Sequence, residues 1–240
     1  MSAFIKLENV YVEGIAVRNI HLRAMILRKE KREKCKIKIL EGINFEAKKG
    51  DRIGILGRNG AGKTSLLRAA CGIYPATQGT VTTNGKFLSM LSMGAGMLPS
   101  LSGFDNIKLA FIMNDNLSFY NEDIVQKIVE FVDIGDQIHK PLSQYSSGMA
   151  ARLIFASNVF QDGNILILDE IFAAGDQSFV KKAYQLIQEK MENAEIVINV
   201  SHSIDIIEKH CNTCYIMEKG RIVNFGDTKD MINEYNKIAI

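Results

Sequence analysis

Short apolar runs alternate with helix-like runs along most of the chain. The apolar runs are rich in Ile, Leu and Val, as buried parallel strands are, and they lie at residues 52–56, 164–168 and 195–200. Apolar residues at the helical period lie at residues 106–113, 123–132 and 149–160. This pattern predicts an α/β chain with a doubly wound parallel core, in which a mainly helical subdomain occupies about residues 94–160.

Both ends of the chain carry strand patterns of another kind. Alternating apolar residues predict an opening strand and its antiparallel return, and these residues are Ile5, Leu7, Val10 and Val12, then Ile37, Ile39, Ile43 and Phe45. Residues 214–217 and 222–225 flank a Glu-Lys-Gly-Arg turn, which indicates a β-hairpin before a last helix from about Thr228. We therefore expect an antiparallel β subdomain beside the parallel core.

A glycine-rich loop joins the first core strand to a helical run. Residues 57–64 read Gly-Arg-Asn-Gly-Ala-Gly-Lys-Thr, a Walker A loop whose amides and helix start surround the phosphates of a nucleoside triphosphate. Lys63 is expected to reach the β and γ phosphates, and the Thr64 hydroxyl to bind Mg²⁺. An ordinary glycine-rich turn would explain the glycines, but the Lys-Thr pair at this spacing would then be a coincidence. The expected nucleotide-binding residues are Gly57, Arg58, Asn59, Gly60, Ala61, Gly62, Lys63, Thr64 and Ser65.

Two acidic residues end the apolar run at 165–168. Strand ends at one edge of a parallel sheet gather ligand-binding residues, so Asp169 is expected to orient the magnesium shell. Glu170 is expected to lie near the attacking water, as a base or water-positioning group. A strand that ends at a solvated acidic turn explains these two acids equally well by themselves, and only their pairing with the Walker A loop favours the catalytic interpretation.

With these elements in place, the chain resembles the ATP-binding subunit of an ABC transporter. Residues 145–149, Tyr-Ser-Ser-Gly-Met, stand where that family has its signature loop, although an ordinary helix N-cap would share the pattern. The resemblance implies a RecA-like core, ATP, and a head-to-tail dimer in which Ser146, Ser147 and Gly148 meet the γ-phosphate held by a second copy. It also implies that His202 contacts the γ-phosphate and that residues 173–176 bridge the two sites.

Finer details resemble one branch of the family, the subunits that export bacterial surface polysaccharides. These details are the Tyr-Ser-Ser-Gly-Met signature, residues 94–107 and the Gly-Asp-Gln-Ser-Phe at residues 175–179. The implied function is ATP hydrolysis that drives a lipid-linked O-antigen, capsule or teichoic acid across the inner membrane, with O-antigen as the expected cargo. Without a run of about eighteen apolar residues, we expect a separate transmembrane permease and a peripheral position on the cytoplasmic face of the inner membrane.

Two positions depart from the family pattern. Spacing from Pro99 puts Met93 where most ABC subunits carry a glutamine that contacts magnesium. The aromatic ring that usually stacks on adenine is missing at Gly14. Tyr11 is the nearest candidate for that role, although an inward strand position accounts for it equally well.

Positive charge is concentrated in one segment. Residues 18–38 hold nine Lys or Arg and two Glu, so the formal net charge of +2 conceals a net negative remainder. Apolar spacing within this basic insert predicts a short amphipathic helix. A solvated charged face, a contact with anionic lipid and a grip on the pyrophosphate of a lipid-linked glycan all remain open.

We expect residues 1–240 to form one nucleotide-binding domain with lobes, reduced structural cysteines, and no carbohydrate-binding domain at the C-terminus. One alternative is a soluble ABC ATPase that acts on nucleic acid or ribosomes, but neither a coiled coil nor a second cassette supports it, and no nucleic acid partner is expected. A second alternative is a regulatory subunit that binds ATP without hydrolysing it. The intact residues of the expected catalytic site argue against it, and these are Lys63, Asp169, Glu170 and His202. A third alternative is an ABC importer, but the sequence of the signature loop and the Met93 substitution favour the exporter branch.

Overall fold

Two β-sheets organise the protein. The structure, a computed structural model, describes residues 2–17, 34–91, 94, 96–169, 177–201 and 203–238. The strands among these residues are β1 (Phe4–Val17), β2 (Lys34–Lys48), β3 (Arg52–Leu56), β4 (Gln78–Asn84), β5 (Phe87–Ser89), β6 (Ile165–Asp169), β7 (Ile196–Val200), β8 (Thr213–Glu218) and β9 (Arg221–Asp227). The helices are α1 (Lys63–Ala70), α2 (Gly103–Met113), α3 (Glu122–Val132), α4 (Ser147–Val159), α5 (Gln177–Asn193), α6 (Ile204–His210) and α7 (Thr228–Ile238).

The larger sheet is the doubly wound core that the apolar runs predict. Its strand order is β5-β6-β7-β3-β8-β9, and all neighbours are parallel except the edge pair β8–β9. Every residue of β7 and the first four of β6 are buried, because helices cover both faces of a parallel sheet. The carboxyl ends of β3 and β6 therefore lie at one edge of the sheet, with β7 between them.

The smaller sheet is antiparallel, in the order β2-β1-β4. Its inward side chains, such as Ile5 and Phe45, share one apolar cluster with Leu66 and Leu67 of α1. Strand β4 pairs with β1 only from Phe4 to Tyr11, whereas β2 continues to pair with β1 as far as Val17. The β1–β2 pair thus extends beyond the rest of the sheet.

Strand β2 begins earlier than the sequence predicts. It starts at Lys34 rather than near Ile37, and Lys36 pairs with Ile15 while its ammonium lies 2.9 Å from the Glu13 carboxylate. The period-two alternation of lysine with apolar residues suits an extended strand, so the predicted amphipathic helix is wrong for residues 34–38. The other residues of the basic insert, 18–33, lie outside the described part of the chain.

The helical subdomain contains α2, α3 and α4, at the positions that the helical period predicts. Ile107, Phe111, Ile128 and Leu153 form the centre of its own apolar cluster. A second cluster joins this subdomain to the larger sheet, and it includes Phe155 of α4, Leu166 of β6 and Phe179 of α5. No helix among the described residues is both long and apolar enough to cross a bilayer.

Candidate functional site

The Walker A loop runs from the end of β3 into α1. Gly60 and Gly62 have φ angles of 78° and 106°, in the left-handed region that glycine adopts without strain. Lys63 is buried, and its ammonium donates hydrogen bonds to the carbonyl oxygens of Gly57 at 2.7 Å and Arg58 at 3.3 Å. The loop therefore holds a positive charge at the start of α1, where the free amides of the helix also attract anions.

The two residues predicted to hold magnesium meet across the sheet. The Thr64 Oγ1 donates a hydrogen bond of 2.9 Å to the Asp169 Oδ2, although 105 positions separate the residues in the chain. A hydroxyl and a carboxylate are the hard oxygen ligands that Mg²⁺ prefers, and Mg²⁺ usually completes its shell with phosphate oxygens and water. The donor set therefore fits a magnesium ion beside the phosphates of a nucleotide.

A cleft of about 610 Å³ opens over this loop. Its lining contains seven residues of the Walker A segment, 59–65, and the predicted metal ligand Asp169. Four residues that the sequence does not predict complete the lining: Lys38, Ile39, Lys219 and Gly220. Gly57 and Arg58 are not among the lining residues, and Arg58 lines a second cavity with Tyr235. The cleft has the size and the charge to accept a phosphorylated small molecule.

Two distant segments complete the cleft. Lys38 and Ile39 belong to β2, and Lys219 and Gly220 form the turn between β8 and β9. The Gly220 amide donates to the Ala61 carbonyl at 2.8 Å, which ties this turn to the Walker A loop. No local motif marks these residues, because the turn reaches the cleft through the pairing of β3 with β8, and β2 reaches it through the hydrogen bond that the Glu41 amide donates to the Gly220 carbonyl.

Tyr11 is not among the residues that line this cleft. Its carbonyl accepts a hydrogen bond from the Thr77 amide, and its hydroxyl lies beside Gly42. Gly14, where an aromatic ring is missing, faces Ile39, since a Cβ at Gly14 would lie 2.8 Å from the Ile39 Cδ1. Ile39 lines the cleft, so apolar surface of the cleft lies next to Gly14, where an aromatic ring is missing.

The predicted signature turn is exposed at the start of α4. Ser146 is the N-cap, and its hydroxyl accepts a hydrogen bond of 3.2 Å from the Met149 amide. Tyr145 anchors the turn, because its hydroxyl donates to the Gln137 carbonyl at 2.8 Å and burial raises the pKa of its phenol. Ser146, Ser147 and Gly148 do not line the cleft of their own chain. The geometry fits an ordinary cap and equally an anion-binding turn.

Other predicted residues lie outside the part of the chain that the structure describes. They are the proposed catalytic residues Glu170 and His202, the Met93 substitution, and the bridging residues 173–176. Asp169 is the last described residue before that bridging segment, and Ser201 and Ser203 flank the histidine.

Comparison with known proteins identifies the family. The model of the ABC transporter family matches residues 40–173, more than half of the chain. The chain belongs to the ABC transporter family. This finding confirms the prediction that it is an ATP-binding cassette and an ATPase. The cassette fold is confirmed as well, since a dimeric ATP-binding cassette bound to ADP and phosphate superposes with a TM-score of 0.67, 18% identity, and coverage of 93% of this chain and 98% of that one.

Relatives within the ABC family support the predicted branch. The cassette is 38% identical over 183 residues to the O-antigen export system ATP-binding protein RfbE of Yersinia enterocolitica, which is 76% of this chain and 77% of the relative. It is 34% identical over 200 residues, 83% of this chain, to the teichoic acids export ATP-binding protein TagH of Listeria innocua. The chain spans only 59% of the length of that TagH protein.

Proposed function

We propose that this ABC cassette hydrolyses ATP to drive export of a lipid-linked surface polysaccharide, with O-antigen as the expected cargo. The observation that carries the proposal is the similarity to the Yersinia O-antigen export protein over three quarters of the chain. The similarity to a teichoic acid export protein supports the wider class of cargo. Neither relative's name supports an importer or an ATPase that acts on nucleic acid.

The proposed binding of ATP follows from the cleft. The amides of residues 57–62 and the Lys63 ammonium bind the phosphates, and Ile39 offers apolar surface to the adenine. Thr64 and Asp169 would hold Mg²⁺, and the ion would neutralise part of the charge on the phosphate oxygens. Lys63 contributes a fixed charge, so the phosphates need little rearrangement of the loop when they bind.

The proposed hydrolysis needs two copies of the chain. Glu170 positions and deprotonates the attacking water, and His202 contacts the γ-phosphate. The exposed turn of one copy, Ser146 to Gly148, closes on the cleft of the other copy and donates hydrogen bonds to the γ-phosphate. This arrangement accounts for the separation of the turn from the cleft of its own chain.

The proposed assembly places the dimer on the cytoplasmic face of the inner membrane, below a separate transmembrane permease. The basic insert, with Arg28, Lys29, Lys31 and Arg32, contacts anionic lipid or the pyrophosphate of the lipid-linked polysaccharide, since each cation contributes around 1 kcal/mol at an anionic surface. Neutralising these four residues is expected to reduce export more than basal ATP hydrolysis. Equal loss of both activities, or no effect on either, would count against this role.

The mechanism is tested by Glu170→Gln. This variant should bind ATP and form a stable dimer by light scattering, yet release phosphate at less than about a hundredth of the wild-type rate, because the water loses its base. Glu208→Gln, at an exposed position of α6, is the matched control and should behave as the wild type. Near-normal turnover of Glu170→Gln would remove Glu170 from the mechanism.

The cargo is tested in the cell. Lys63→Met should abolish export while synthesis continues, so lipid-linked polysaccharide accumulates inside and disappears from the surface. Glycan labelling of intact and of lysed cells separates the two pools. The permease is identified as the membrane protein that co-purifies with the chain. Unchanged surface polysaccharide in the Lys63→Met strain would reject the export function.

A further inference from the structure

An arginine near the signature turn reaches across to the next helix of the core. Arg152 lies in the second turn of α4, and its guanidinium carbon is 5.4 Å from the centroid of the Phe179 ring. Phe179 is 3% exposed and belongs to the first turn of α5. A cation over an aromatic face at this distance is attracted by the electrons of the ring.

Two further rings fix Phe179 in this position. Phe155, one turn after Arg152 on the same face of α4, makes an edge contact with Phe179 at 5.8 Å between centroids. Phe131 of α3 makes another edge contact at 5.3 Å. The first turn of α5 is thus held by a cation and two rings from the helical subdomain.

The contact lies in the cluster that joins the helical subdomain to the larger sheet. Phe155 and Phe179 pack there with Leu166 and Leu168 of β6, the strand that ends at Asp169. Arg152 contacts this cluster through Phe179 and lies between Phe155 and the signature turn along α4. The Nε atom of Arg152 is buried, so part of the guanidinium is removed from solvent where it meets this cluster.

We propose that Arg152 is a positioning residue for ATP hydrolysis. By holding Phe179, it fixes the direction of the first turns of α4 relative to β6, and so sets where Ser146 to Gly148 meet the nucleotide of the other copy. This role rests on the proposed head-to-tail dimer. It requires no contact between Arg152 and the nucleotide.

The test is a double-mutant cycle with Arg152→Met and Phe179→Leu, which keep apolar volume and remove the cation or the ring. Each should lower kcat for ATP hydrolysis by about tenfold, within the 2- to 30-fold that a cation–π pair supports. The double variant should lose less than the product of the two single losses, because both substitutions remove the contact between Arg152 and Phe179, while only Phe179→Leu also removes the edge contacts with Phe155 and Phe131. The ADP dissociation constant should stay within twofold, since ADP binds in the cleft of one chain.

Arg152→Lys and Phe179→Tyr keep a cation and a ring, and each should recover most of kcat. Arg68→Met is the matched control, because Arg68 also lies over a ring, that of Tyr74 at 5.6 Å, but at the far end of α1. It should leave kcat within twofold of the wild type. A fall in ADP affinity parallel to kcat, additive losses in the double variant, or unchanged kcat in Arg152→Met would each overturn the proposal.

Failure of the underlying function gives a different result. If Glu170→Gln forms no dimer with ATP, the head-to-tail arrangement itself is rejected, whatever Arg152 does. If that dimer forms and Arg152→Met turns over normally, only the positioning role is rejected.

Discussion

At the residue scale, the hydrogen bond between Thr64 and Asp169 is the contact that assembles the site. It joins the start of α1 to the end of β6 at 2.9 Å and brings together the two oxygens that we propose as ligands of Mg²⁺. The hydroxyl fixes the orientation of the carboxylate, as partners of metal ligands do in other sites. A substitution at Thr64 should therefore weaken metal binding more than it destabilises the fold.

Thr64→Val is expected to raise the Mg²⁺ concentration needed for half-maximal ATP hydrolysis by at least tenfold. The substitution keeps the branched shape and removes one oxygen ligand and the hydrogen bond to Asp169. Magnesium titrations of initial rate measure the effect. Thr64→Ser, which keeps the hydroxyl, is the control, and an equal requirement in Thr64→Val and the wild type would contradict the assignment.

Ile39→Ala is expected to weaken ATP binding about fivefold, since it removes the proposed apolar contact with the base, which contributes roughly 1 kcal/mol. Tripolyphosphate has no base, so its affinity should not change. Tyr11→Leu should leave both affinities within twofold, because Tyr11 does not line the cleft. Calorimetric titrations measure the dissociation constants, and a loss of ATP affinity in Tyr11→Leu alone would reverse the assignment.

At this scale the sequence predicted the residues with a fixed local spacing. Residues 57–64 carry their own motif, and Asp169 follows a recognisable buried strand. Ile39 and Lys219 line the same cleft without a motif, because their approach depends on pairing between strands distant in the chain. Proximity in sequence to Gly14 favours Tyr11 for the adenine contact, but the hydroxyl of Tyr11 lies beside Gly42.

At the element scale, the turn between β8 and β9 supports the Walker A loop. The Gly220 amide donates to the Ala61 carbonyl, and the Gly220 carbonyl accepts from the Glu41 amide of β2 at 2.9 Å. One residue thus joins the hairpin, the Walker A loop and the smaller sheet. Gly220 has a φ of 78°, so a side chain there is strained.

Gly220→Ala is expected to lower the free energy of unfolding by about 2 kcal/mol more than Gly72→Ala. Both glycines have positive φ, but a Cβ at Gly220 meets the Ile39 carbonyl oxygen, whereas one at Gly72 meets nothing within 4 Å. The difference therefore isolates the collision. Urea unfolding measures the free energy of unfolding of both variants. Gly220→Ala should also weaken ATP binding. Equal destabilisation of the two variants would show that the turn shifts to accept the Cβ, and it would contradict the prediction.

The elements differ in how well their sequence determines them. Helices α2 to α4 have apolar stripes at the helical period, and their predicted bounds agree with the structure within a few residues. The first residues of β2 belong to the basic insert, whose apolar spacing predicts a helix, although Lys34, Lys36 and Lys38 alternate with apolar residues as in a strand. Strand pairing with β1 outweighs the helical propensity of lysine.

At the scale of the whole molecule, Glu195 holds the two sheets together. Its carboxylate accepts hydrogen bonds from the Ala3 amide at 3.1 Å and from the Asn164 side chain at 3.0 Å, next to β1 and β6 respectively. These bonds, that of Asn164 foremost, lower the pKa of Glu195 below its ordinary value of 4.5. The ionised form is therefore favoured in the folded state.

The stabilising contribution of Glu195 is fully present above pH 4.5 and is lost as the pH falls through the lowered pKa, since protonation removes an acceptor. Glu195→Gln should therefore be less stable than the wild type at neutral pH and should lose less on acidification. Urea unfolding of both proteins at several pH values across this range measures how steeply stability depends on pH. Glu192→Gln, at an exposed position of α5, should follow the wild type, and parallel slopes for Glu195→Gln would contradict the prediction.

The separation of the exposed turn from its own cleft has a genetic consequence. In the proposed head-to-tail dimer, a substitution that disables the turn and one that disables the Walker A loop should each inactivate the homodimer. A mixed dimer, by contrast, would pair the intact loop of one chain with the intact turn of the other. Ser146→Arg and Lys63→Met should thus complement each other when co-expressed, restoring up to half the active sites per mixed pair. Two alleles damaged in the same segment should fail to complement.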